Sequence, residues 1–132
     1  MTVELQMLIW ITGATILMWV PYIAAHILNV GLIDALTYRA DGVPLPDWAA
    51  RAKKAHSNAI ENLLPFAVLI VAAALTETSN DATAAAAITY FWVRLAHYFL
   101  YIANVPFGRT LTFAAGWLAM LCLFGQIVKP LL

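Results

Sequence analysis

Two runs of the chain carry polar side chains at helical spacing inside otherwise apolar sequence. The first is RAKKAHSNAIENLLPF, residues 51–66. At 100° per residue, Arg51, Lys54, Asn58, Glu61 and Pro65 fall on one stripe of a helix. His56 points to the other side, where an interfacial anchor is the simpler reading. The second run is YFWVRLAHYFLY, residues 90–101, in which Tyr90, Arg94, His97 and Tyr101 recur at steps of four, three and four and share one face. Arg51, Lys54, Arg94 and Arg109 set four cations against the single carboxylate of Glu61. That imbalance suits an anionic ligand better than a closed network of ion pairs. His26, His56 and His97 lie apart and show no metal-ligand spacing, so no metal site is expected. His26, near Asn29, reads either as satisfied helix packing or as a ligand contact, with packing the simpler reading.

The elements that must hold these residues are membrane helices. The 132 residues are 64% hydrophobic and 11% charged, with mean hydropathy +0.83. Soluble domains run nearer 45–50% apolar and about 25% charged. Four stretches are long enough to cross a core of about 30 Å at 1.5 Å per residue: residues 5–28, 55–75, 82–103 and 111–128. An all-α, integral membrane four-helix bundle forming a single domain over residues 1–132 is the expected fold. Glu4 stands where a signal peptide would be basic, and the apolar segment after it is too long for one. The net charge of zero argues against a nucleic-acid partner.

Arg39, Arg51, Lys53, Lys54 and Arg109 lie on one side of these spans, and Lys129 on the other. The positive-inside rule then places both termini on the non-cytoplasmic side. Glu61 and Arg94 come out about 10 and about 15 Å of helix rise below the same cytoplasmic surface, close enough in depth to pair. Pro65 has no N–H for the Glu61 carbonyl, which predicts a bend or opening of the helix there. Asp47, after Pro44 and Pro46, reads as a helix cap. Cys122, the only cysteine, reads as a small buried hydrophobe. The alanine run 84–87 predicts close helix packing, and Ala115, Gly116 and Ala119 predict close approach of the fourth span to a neighbouring subunit.

RAKKAHSNAIENLLPF together with RLAHYFLY and PFGRT resembles the MAPEG superfamily, the membrane-associated proteins in eicosanoid and glutathione metabolism. The resemblance covers essentially the whole chain. It implies a homotrimer that binds glutathione between subunits near the cytoplasmic face and joins its thiolate to a lipophilic small molecule taken from the membrane lipids. Transferase activity is the first expectation, with peroxidase or isomerase variants of it. Carried onto this sequence, it implies glutathione-binding roles for Arg51, Lys54, Asn58, Glu61, Arg94, His97 and Tyr101, and a thiolate-stabilising role for Arg109 and Thr110. Ser57 replaces an arginine of prostaglandin E synthase, and the Pro106–Arg109 spacing differs from that enzyme by one residue. These departures resemble bacterial-type members, which implies a bacterial cell membrane. A non-catalytic, lipid-binding scaffold of the same fold is the alternative. A transporter ranks last, because the first and fourth spans lack polar residues beyond His26.

Overall fold

A computed structural model describes residues 1–132. It contains helices and no strands: α1 (Val3–Leu17), α2 (Trp19–Val30), α3 (Leu32–Leu36), α4 (Asp47–Leu75), α5 (Asp81–Ile102) and α6 (Pro106–Val128), then a short 3-10 turn, Lys129–Leu131. By length and composition three helical stretches suit a membrane: Val3–Val30, Asp47–Leu75 and Pro106–Leu131. Helix α5 is not among them, since its buried face carries Thr83, Arg94 and His97.

Local chemistry explains most of the boundaries. The first apolar run is interrupted at Met18. Pro21 follows three residues later, lacks an N–H and crowds the carbonyl of Leu17, which accounts for the break. Helix α4, by contrast, runs unbroken through Pro65. The expected opening at that proline is absent, so loss of one backbone bond leaves the helix intact. Helix α4 starts at Asp47, with Pro46 in the cap position and no side-chain cap bond, which corrects the reading of Asp47 as a cap. Helix α5 opens on a capping box in which Asn80 accepts from the amides of Ala82 and Thr83, while Thr83 accepts from the Asn80 amide.

Helix α5 occupies the centre, packed against α1, α4 and most extensively α6. Its core comprises Ile11, Phe66, Ile70, Ala86, Ala87, Tyr90, Ala119, Met120 and Leu123. Phe66 and Tyr90 stack with ring centroids 3.8 Å apart and planes within 8°. Ala86 and Ala87 are buried, as the alanine run predicts. Gly116 and Ala119 are also buried within the chain, so they pack α6 on α5 and do not present a surface to a neighbour. Cys122 is exposed on the apolar flank of α6, contrary to its reading as a buried residue. Trp10, Leu64, Val68, Trp92, Trp117 and Phe124 likewise point outward, which is the arrangement of a surface solvated by lipid.

One buried acid escaped the sequence reading. Glu4 is 2% exposed, and its Oε1 accepts from Ser79 Oγ at 2.5 Å and from Thr83 Oγ1. This latch ties the start of α1 to the start of α5. Glu4→Leu leaves the Ser79 hydroxyl without an acceptor and Thr83 with only the Asn80 carbonyl, at 2.8 Å, and should cost about 1–3 kcal/mol. Added to Thr83→Val it should cost less than the sum of the two single changes, because they share one bond. Thermal unfolding of the two single variants and the double variant measures that coupling, and strict additivity contradicts the latch.

Candidate functional site

The face of α5 predicted from spacing is real: Tyr90, Arg94 and His97 are all buried and Tyr101 is half-buried. What surrounds them comes from α4 and α6. Arg94 is 3% exposed, and its Nη2 donates to Asn58 Oδ1 at 2.6 Å. Its Nε and Nη1 are shielded and have no hydrogen-bond partner. The aliphatic stem lies on Gly116, where an added Cβ would come within 3.1 Å of Arg94 Cδ. The guanidinium carbon stands 6.0 Å from the centroid of the Phe113 ring.

Glu61 does not hold Arg94. It is exposed on α4, and the amide of Asn58 takes the guanidinium instead. The stem's seat on Gly116 directs the head group toward Asn58, one turn nearer the start of α4 than Glu61. Asn58 is itself steadied by Asn62, whose Nδ2 donates to the Asn58 carbonyl at 2.9 Å. Arg94 is thus a buried cation with one neutral partner, and attraction to a charge from outside this set of helices is strong in such surroundings.

His97 is 2% exposed. Its Nδ1 stands 3.0 Å from the carbonyl oxygen of Arg109 and 3.2 Å from Thr112 Oγ1, both on α6. Tyr101 meets the imidazole edge-on at 5.8 Å, and the Arg109 guanidinium lies over the Tyr101 ring at 4.7 Å. Thr110 is exposed and its hydroxyl donates to the Pro106 carbonyl at 3.0 Å. That bond occupies the proton that a sulfur-binding role requires, and it is not a helix cap either, since Val105 is the cap residue.

Two depressions flank these residues. An open groove of about 760 Å³ is lined by Lys53, Lys54, Asn58, Glu61 and Tyr101 and by the loop segment Gly42–Leu45. A smaller cleft of about 310 Å³ is lined by Asn58, His97, Tyr101, Arg109, Thr110 and Phe113. Asn58 and Tyr101 belong to both. Of the residues predicted from sequence, only Arg51 and Arg94 line neither. Arg51 Nε donates to the Ile102 carbonyl at 2.7 Å and closes the end of α5, a favourable position for a cation. His56, as expected, faces away: its Nδ1 is 2.9 Å from the Tyr22 hydroxyl.

Sequence reasoning missed Thr112 and Phe113. The signal was present, because Arg109, Thr112, Phe113 and Gly116 recur at helical spacing and form the face of α6 that meets α5. It missed Lys53 because that residue falls off the stripe of Lys54 and Asn58. The contrast between Asn58 and Glu61 gives a direct check. Asn58→Leu strips Arg94 of its hydrogen bond and should cost about 1.5–3 kcal/mol in thermal unfolding. Glu61→Leu, at an exposed position, should stay within about 0.5 kcal/mol. The reverse order would mean that Glu61 is the partner of Arg94 after all.

The MAPEG family model matches residues 7–129. Searches of curated proteins and of solved structures gave no match. The family match takes in both polar helical runs, the groove and the cleft, and all but the ends of the chain. An all-helical membrane protein with this polar face inside it, matched over nearly its full length, belongs to the MAPEG family.

Proposed function

We propose that this protein is a glutathione-dependent membrane transferase that joins the glutathione thiolate to a lipophilic electrophile drawn from the bilayer. The observation that carries this reading is Arg94, a buried guanidinium with two unpartnered nitrogens beside a groove and cleft rich in cations. Lys53 and Lys54 line the groove and Arg109 the cleft, and Glu61, in the groove, is the only carboxylate of the two. Glutathione offers two carboxylates and an ammonium, which complements that charge pattern. In this reading Lys54, Asn58, Glu61, Arg94, His97 and Tyr101 hold the tripeptide, with Glu61 facing its ammonium. Arg51 contributes through the end of α5 that it secures.

The same reading makes the chain one domain of four membrane crossings, with α5 as the third in chain order, between α4 and α6. Both termini lie on the non-cytoplasmic side of a bacterial cell membrane, and three copies assemble around sites that each need a neighbour. Arg109 stands in the first turn of α6, where guanidinium and helix N-terminus both favour an anion. A thiolate held there is stabilised more than the thiol, which is what transfer requires. Thr110 is the weaker half of that pair, given its bond to Pro106. That bond also favours the second reading, a lipid-binding scaffold without turnover, because it removes a thiolate donor.

Titration of the purified protein with glutathione should raise its stability with the logarithm of ligand concentration above Kd, by about 2.7 kcal/mol at 100 times Kd. No shift at millimolar glutathione contradicts the proposal. A free thiol has a pKa of about 8.5, and a neighbouring cation lowers it. Arg109→Ala should therefore raise the pH at which bound thiolate appears by about one unit, about 1.36 kcal/mol, as followed by ultraviolet absorbance. Glutathione that binds but never ionises below its free pKa favours the scaffold.

A further inference from the structure

We infer that His97 accepts the proton of the ligand's thiol through Nε2, and that Thr112 is the residue that positions it to do so; the inference rests on the glutathione reading above. The argument begins at the other nitrogen. Nδ1 is 3.0 Å from the Arg109 carbonyl oxygen, and a carbonyl only accepts, so Nδ1 carries a hydrogen. Thr112 agrees with this assignment. Its hydroxyl has carbonyl acceptors of its own at 2.8 Å (Gly108) and 3.1 Å (Arg109), so toward His97, at 3.2 Å, it presents a lone pair.

With Nδ1 committed to α6, Nε2 keeps its lone pair. It is buried and has no partner. In the ligand-free protein a second proton on the ring would add an unpartnered N–H and a third positive charge beside Arg94 and Arg109, so the ring stays neutral until an anion is there to offset it. The charged and ionisable groups around the ring are Arg94 and Tyr101 from its own helix and Arg109 from α6; no carboxylate lines the cleft. His97, Tyr101 and Arg109 line one cleft, so a thiol entering it meets a proton acceptor and a cation that both stand against the Tyr101 ring. The S–H bond breaks, its proton passes to Nε2, and the electron pair stays on sulfur as a thiolate beside Arg109. The imidazolium and thiolate form together, and each offsets the charge of the other.

Nitrogen NMR of the imidazoles in the full-length protein in nanodiscs tests this, with the other two histidines assigned by His26→Gln and His56→Gln. The ligand-free protein should show His97 with a protonated Nδ1 and a bare Nε2. Glutathione should protonate Nε2 in step with the appearance of thiolate absorbance, whereas S-methylglutathione, which has no thiol proton, should bind and leave Nε2 bare. Thr112→Val should lower the bound thiolate fraction at neutral pH by about two- to tenfold, the worth of one hydrogen bond, and Thr112→Ser should restore it. A proton on Nε2 in the ligand-free protein overturns the inference whether or not glutathione binds. Thiolate that forms while Nε2 stays bare also overturns it, and leaves the binding reading intact.

Discussion

Arg94 sets the terms for the rest of this molecule. A guanidinium cannot lose its proton at any ordinary pH, and in a membrane helix it costs at least about 2.5–3.5 kcal/mol on insertion scales. The chain accommodates it at three points. Gly116 makes room for the stem, Asn58 accepts one N–H, and Phe113 covers it with a ring face. None of these neutralises the charge. A glycine, an amide and an aromatic ring hold the group in one place while its positive field remains available to an anion. The same helix face then carries His97 and Tyr101, and through them reaches Arg109 on α6.

The two ends of the molecule treat polar groups differently. At the far end Glu4 is as deeply buried as Arg94, yet its carboxylate accepts two hydroxyl bonds and closes α1 onto α5. That end is satisfied from within. Around Arg94 and His97 three shielded nitrogens have no partner, and nearby Lys53 and Lys54 line the groove and Arg109 the cleft. Native proteins rarely leave buried polar groups unmatched, and where they do, function is the first place to look. The difference between the ends is why a ligand, and not a structural network, is the reading adopted for the second.

The helices and the two polar faces were legible because hydrophobic period and proline position report on single helices. The stripe of Lys54, Asn58 and Glu61, the buried face of Tyr90, Arg94 and His97, and the opposite direction of His56 all follow from 100° per residue. Which side chain meets which across helices was less legible. Equal depth suggested Glu61 for Arg94, but depth carries no azimuth, and the seat on Gly116 selected Asn58. Gly116 and Ala119 on α6 were assigned outward when they pack inward, since smallness alone does not say toward which neighbour. Cys122 erred the other way: lipid outside a helix makes an apolar residue equally at home on either face. Glu4 was overlooked because its hydroxyl partners lie more than seventy residues away along the chain. Thr112 was overlooked because a threonine in an apolar helix has no charge to mark it.

The central claim is that the charge on Arg94 is matched from outside its own four crossings, by glutathione held where subunits meet. Mass measurement of the protein released intact from nanodiscs, with and without glutathione, tests it most directly. The account predicts a particle of three chains that takes up glutathione, with Arg94→Leu losing the uptake. A stable single chain that binds glutathione as tightly as any larger particle would contradict it.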